Sequence, residues 1–336
     1  MASSRRRLIY RAVLAAEVVL LLGVALAMVQ RLGARALAQQ PVVVADGEWA
    51  GAARSRALAA EKLSQPYDRL KTLHLPKTAP RPGEWLERHF ERGQSFAEYQ
   101  LGQPVRPTPR ERTLYLQPVG PFAKEQYQVV ELTADYLQRF FSVTVKLAEP
   151  IAATAIPAKA RRDGGEPYGE QWLTTFILDD LLAARRPPDA LAVVALTATD
   201  LWAGPGWNFV YGQASLRERV GVWSLRRHGD PRADAAELRL CLKRTIATAT
   251  HETGHLLSIE HCIAYECLMN GVNHREEADS RPFDLCPACL RKLCWNVKTE
   301  PLPRYRALAE FCRQQQWVAE LAPIEKAIKV CEEGGK

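Results

Sequence analysis

Apolar and polar positions follow three regimes along this chain of 336 residues. The first is a mostly apolar stretch from Ala12 to Val29, unbroken from Val18 to Val29. The second, residues 39–112, has no steady period and is punctuated by prolines such as Pro41, Pro66, Pro80 and Pro104. Within it, Gly83–Gly102 reads as short helical pieces in a loop-rich lead-in, with no evident chemistry. The third begins at Arg112. Thr113–Pro118 predicts a strand. Lys124–Phe141 sets Val129, Leu132, Tyr136 and Phe140 at helical spacing. Val143–Leu147 predicts a second strand, Ala158–Tyr168 a polar loop, and Trp172–Ala184 a second helix. Ala190–Leu196 is a continuous apolar run, which suits a strand buried on both faces. Asn208–Tyr211 and Val220–Leu225 predict two more strands, 229–236 a loop, and Lys243–Leu257 a helix. A Cys-rich segment follows, then helices over about 303–315 and 321–332. Strands alternating with helices and ending in helical sequence predict an α/β (α+β) fold: a sheet-based layer, then a smaller, mostly helical subdomain.

Charge sharpens this division. The chain has 45 basic and 38 acidic residues, a formal +7. Residues 1–40 hold Arg5, Arg6, Arg7, Arg11, Arg31 and Arg35 against Glu17 alone. Most of the excess therefore sits in the first segment and the remainder is close to neutral, which removes the main argument for a nucleic-acid partner. Arginines, an apolar run and Ala36-Leu37-Ala38 have the order of a targeting segment. Residues 1–38 are expected to be a signal peptide or membrane anchor, with the body on the non-cytoplasmic side; the alternative is an amphipathic helix of a cytoplasmic protein.

Candidate chemistry lies near the other end. His251-Glu-Thr-Gly-His255 followed by His261 places three of the seven histidines within eleven positions. Residues four apart share a helix face, so His251 and His255 can direct their imidazoles at one metal. Glu252 stands beside them as a candidate base, and His261 can complete a three-His set with one position open, the mark of a catalytic zinc. All eight cysteines occur from Cys241 onward. Cys262, Cys267, Cys286 and Cys289 form two pairs separated by a loop, the pattern of a structural zinc, with two disulfides as the alternative. Cys241, Cys294, Cys312 and Cys331 are expected to be buried apolar residues or to form one or two disulfides. Met269 is the only methionine after Met28; a soft thioether there could pack beneath the histidines.

These segments resemble the archaemetzincins, a branch of the metzincin zinc peptidases. The resemblance is carried by His251–His261, by Cys262-x4-Cys267-Leu-Met269, and by Asp284–Leu293, with Arg112–Pro118 and Trp207–Leu216 upstream. It covers roughly 112–315 and makes 112–335 a metzincin-like domain behind a 39–111 extension. It implies a catalytic zinc on His251, His255 and His261, with Glu252 as general base and acid. It also implies a second zinc on Cys262, Cys267, Cys286 and Cys289, and Met269 as the methionine of the turn below the first. Substrate would lie along an antiparallel edge strand drawn from 208–225. One departure stands out: Ser258 occupies the position where the family usually has the glycine that turns the chain toward the third histidine.

The leading expectation is a zinc-dependent peptidase acting on a peptide or protein substrate, with the membrane met only through the N-terminal segment. The alternative is an inactive, zinc-stabilised peptide-binding protein, resting on Ser258. A zinc ribbon for nucleic acid is excluded by charge: Arg275, Arg281, Arg291 and Lys292 face Glu266, Glu276, Glu277, Asp279 and Asp284 around the cysteines.

Overall fold

The computed structural model describes Leu58 and residues 64–333. Nearly all of these belong to one of two compact units, Trp49–Glu87 with Glu91–Lys336; among the described residues the other unit contains only Arg88–Phe90. The lead-in carries α1 (Tyr67–Leu70), which was not expected, and α2 (Trp85–Arg88) and α3 (Phe96–Leu101), the short helical pieces expected within Gly83–Gly102. Ser95 caps α3 by accepting from the Glu98 amide, and Glu98 caps back. Then come β1 (Thr113–Pro118), α4 (Lys124–Phe141), β2 (Thr144–Leu147), β3 (Arg161–Asp163) and β4 (Glu170–Leu173). An irregular helical stretch over 174–185 leads to β5 (Ala190–Thr197), β6 (Asp200–Trp202), β7 (Gly212–Ser215) and β8 (Val220–Ser224). The helical part is α5 (Ala235–Leu256), α6 (Arg275–Ser280), α7 (Pro287–Val297), α8 (Pro301–Gln314) and α9 (Val318–Glu333).

The main sheet has the order β2-β1-β5-β8-β7, with only β7 antiparallel to its neighbour. β5 shows why a continuous apolar run is needed. Leu191, Ala192, Val194 and Leu196 join the core that includes α4 and α5. Ala190, Val193 and Ala195 join a second core that includes the 174–185 stretch. Because side chains alternate across a strand, both faces of the sheet are buried at β5. The expected α/β arrangement with a helical, Cys-bearing C-terminal region is what the structure contains.

Three local expectations change. The polar loop at 158–168 contains β3, which pairs with β4 and, through it, β6 in a small second sheet. Its strands are three or four residues long, too short for a period to show. The predicted helix from Trp172 begins only at Thr174, after strand β4. The predicted strand Asn208–Tyr211 is displaced to β7. The Trp207 and Asn208 carbonyls are taken by Arg162 (3.0 and 2.8 Å), while Gly212 makes room for the Trp223 indole. A Cβ at 212 would stand 1.9 Å from that ring, so a strand can cross here only with glycine.

The expected signal peptide or anchor, residues 1–38, lies outside the described residues. Among the described residues no helix is long and apolar enough to cross a membrane. The unbroken run Val18–Val29 is itself far short of the ~20 residues a spanning helix needs.

One ion cluster ties three loops at the end of the sheet. Glu111, just before β1, accepts from Arg219 (3.1 and 2.6 Å) and Arg186 (3.2 Å). The Arg219 hydrogen bonds, with Arg186 behind them, hold its carboxyl at about 2, below the ordinary 4.5. A lowered folded pKa means stability that is present above the unfolded value and lost as pH falls through the folded one. Glu111→Gln is therefore expected to cost about 0.5–1 kcal/mol at pH 7, the size of a partly exposed pair. In urea titrations the gap from wild type should close between about pH 4.5 and 2. A gap that persists at about pH 2 would show that the contribution is not ionic.

Candidate metal centre

The site is built on the last two turns of α5. Asp234 caps this helix by accepting from the Ala236 and Glu237 amides, which starts it eight residues before the expected Lys243. The helix ends in a Schellman pattern: the Ile259 amide donates to Gly254 O (3.0 Å) and the Ser258 amide to His255 O (2.8 Å). Ser258 sits between them at φ +66°. It therefore adopts the left-handed conformation that glycine would take, at a cost of about 1–2 kcal/mol. Neighbours offset that cost: Ser258 Oγ accepts from the Val105 amide (3.1 Å) and Ser258 O from Gln94 Nε2 (3.2 Å). The turn is kept despite the departure, and His261 arrives beside the two helical histidines.

The ring nitrogens of His251, His255 and His261 converge within 4.8 Å. Each Nδ1 faces an acceptor: Leu268 O (2.8 Å) for His251, Ile259 O (2.7 Å) for His255 and a Glu91 carboxylate oxygen (2.5 Å) for His261. Each imidazole thus carries its proton on Nδ1 and leaves the Nε2 lone pair free. The Nε2 atoms of His251 and His255 stand 3.0 Å apart, two lone pairs facing one another. That is a poor arrangement for the rings alone and a good one for two ligands of a common ion. Arg281 Nη1 also approaches His251 Nδ1 (2.9 Å), but its donors are satisfied by Leu268 O (3.1 Å) and Asn270 O (3.0 Å). Leu268 O accepts from both groups.

Electrostatics favour neutral ligands. Burial, with Arg281 adding to it, pushes the His251 pKa well below its ordinary value. Burial, then His261, takes His255 down to about 4. Glu252 follows His251 on α5. Burial pushes its carboxyl up to about 6, against the opposing pull of His261 and Arg281. Met269 is buried against Gly254, where a Cβ would come within 2.7 Å of its Sδ. The helix thus rests on the thioether immediately before His255.

Cys262, Cys267, Cys286 and Cys289 are buried, with sulfurs within 4.8 Å of one another. Cys262 and Cys286 sulfurs lie 3.7 Å apart, far beyond the ~2.05 Å of a disulfide. Cys267 Sγ accepts from the Met269 and Cys286 amides (3.4 and 3.2 Å). Four sulfurs around one point, with amides directed at one of them, fit a tetrahedral thiolate site. Buried Asn270 shapes the loop, donating to Cys262 O and Tyr265 O (2.6 and 2.9 Å) and accepting from the Cys267 amide (2.8 Å). Cys241, Cys294, Cys312 and Cys331 are free thiols, the first three buried.

The candidate residues read from the sequence are thus brought together in two clusters with Met269 beneath one of them. What sequence reasoning missed comes from the lead-in. Glu91, in a segment without evident chemistry, holds His261 and also accepts from Trp85 Nε1 (2.7 Å). The Trp85 indole meets the His261 ring edge-on at 5.3 Å. No spacing rule could have found a partner 170 residues away.

Peptidase family M54 matches residues 189–294, the span from β5 to α7 that contains the three clustered histidines and the four clustered cysteines. The chain is 31% identical to human Archaemetzincin-2, over 84% of this chain and 85% of that protein. It is 29% identical to rat Archaemetzincin-1, over 75% of this chain and 56% of that one. Among solved structures it is similar to an archaemetzincin from Methanopyrus kandleri (28% identity, TM-score 0.45, covering 57% of this chain and 98% of that one). The kinship with Archaemetzincin-2 is broader than the expected 112–315, because 84% of the chain exceeds what residues 112–336 can supply and reaches into the lead-in. The expectation of a membrane-anchored or exported protein is corrected: neither this kinship nor any helix among the described residues supports it.

Removing the carboxylate behind His261 tests the site directly. Glu91→Ala is expected to weaken zinc binding at the histidines about 10–100-fold. Competition against a calibrated chelator would measure this, and an unchanged affinity would remove Glu91 from the site.

Proposed function

The chain belongs to the archaemetzincins, a zinc metallopeptidase family, and from that premise we propose that His251, His255 and His261 hold its catalytic zinc, with Glu252 as general base and acid. The observation that carries this reading is the set of three Nδ1 atoms, each held by an acceptor, which leaves three lone pairs directed at one point. When bound there, zinc is a Lewis acid that makes water acidic enough to ionise near neutrality. The protein's own groups do the rest. Glu252 takes the proton of the attacking water and returns it to the leaving amine. A carboxyl poised at about 6 is suited to both transfers. The four cysteines hold a second, structural zinc, and Met269 supports the helix beneath the histidines.

The substrate is a peptide or protein chain that adds as a strand to β7. β7 is the antiparallel edge of the main sheet and, among the described residues, has a neighbour on one side only. Its other edge presents the backbone groups that an extended peptide would pair with. A cavity of about 470 Å³ is lined by Leu216, just past β7, and by His255, with Tyr99 and Gln94 of the lead-in on its wall. The residue that follows the edge strand and the helix that carries His255 thus border one space. An inactive peptide binder rested on Ser258 alone, and Ser258 keeps the turn.

Glu252→Gln is expected to retain zinc while peptide cleavage falls by at least about 100-fold, the usual scale of a lost general base. Metal analysis alongside turnover of unstructured peptides would show this; full activity in the variant would sink the assignment. Metal analysis of the wild type should return two zinc ions per chain, and Cys286→Ala should lower that number.

A further inference from the structure

Behind the metal centre lies a cavity of about 400 Å³ that the proposed reaction does not use. Its apolar wall includes Phe283, Leu308, Ile324 and Ala327. Four carboxylates also border it, and each is already neutralised. Glu266 pairs with Lys77 (3.0 Å), Asp279 with Arg244 (2.6 Å), Asp284 with Arg304 (2.6 Å) and Glu320 with Lys243. Burial keeps His74 below its ordinary pKa, so it adds no charge near neutrality. Arg281 is a lining cation with no ion pair among the described residues, although Glu252, Glu277 and Asp279 act on it at longer range. Its hydrogen bonds there run through Nη1, to Leu268 O and Asn270 O. Its Nε is buried without a partner among the described residues. A second cavity of about 280 Å³ shares Leu75, Glu266, Arg281 and Pro282 with the first, so Arg281 lines both.

A second group points the same way. Tyr305, 1% exposed, lines the larger cavity, and its hydroxyl has no hydrogen-bond partner among the described residues. The Nε–Nη2 edge of a guanidinium is shaped for side-on pairing with a carboxylate, and here Nε has no partner among the described residues. A lone hydroxyl on a residue lining the same cavity and an apolar wall complete the usual make-up of a small-molecule site, in which a few polar groups orient a largely apolar body. We propose that this cavity binds a small amphipathic carboxylate. Its charged end pairs with Arg281, a hydrogen bond comes from the Tyr305 hydroxyl, and its apolar end lies against Leu308, Ile324 and Ala327.

The test is calorimetric titration of the zinc-loaded full chain with N-acetyl-L-phenylalanine and, separately, with its uncharged amide. The acid should bind saturably and at least ten times more tightly than the amide. Tyr305→Phe, which removes one unpartnered hydroxyl and leaves the fold intact, should weaken the acid severalfold. Arg281→Gln should abolish the preference for acid over amide. Acetohydroxamate, which seeks the catalytic metal, should leave acid binding unchanged. Equal affinity for acid and amide, no saturable binding, displacement by acetohydroxamate, or wild-type binding in Tyr305→Phe would each overturn the proposal.

Discussion

Everything at this site depends on where three protons sit. An imidazole can offer Nε2 to a metal only if its proton is held on Nδ1, and here each Nδ1 has its own acceptor from a different part of the chain. Leu268 O comes from the cysteine loop, Ile259 O from the turn that ends α5, and the carboxylate from Glu91 in the lead-in. Helix, loop and lead-in must all be in place for the three lone pairs to meet.

The rest of the architecture serves that requirement. The main sheet, buried on both faces at β5, is a rigid base for α5. The Schellman turn at Ser258 redirects the chain toward His261, and Asn270 and the cysteines fix the loop that supplies Leu268 O. Gln94 and Val105 reach back to Ser258, so a residue in a costly conformation is held from outside its own helix. Charge is used sparingly: His251 and His255 are kept neutral by burial, and Arg281 shares an acceptor with His251 without taking its lone pair.

Sequence reading is strongest where a pattern is local. Three histidines on and after one helix, two cysteine pairs and a continuous apolar strand are visible because their spacing is their chemistry. Lys124–Phe141 is readable as a helix to the residue. Reading fails where the decisive partner is remote or the element short. β3 is three residues of charged sequence made a strand by its neighbour. β7 starts at a glycine whose need is explained only by Trp223. Glu91 is one acid among many until His261 is seen beside it.

The lead-in is also where the chain tempts a cut. Composition and pattern both change at Arg112, and a shortened gene would naturally begin there. Such a protein would keep the histidine and cysteine clusters yet lose Glu91 behind His261, and both Gln94 and Val105 at Ser258. It would also lose the Tyr99 hydroxyl that donates to Leu257 O at 2.8 Å. The boundary that looks cleanest in the sequence is thus a poor place to divide the molecule, because the part that carries the two clusters is not modular there.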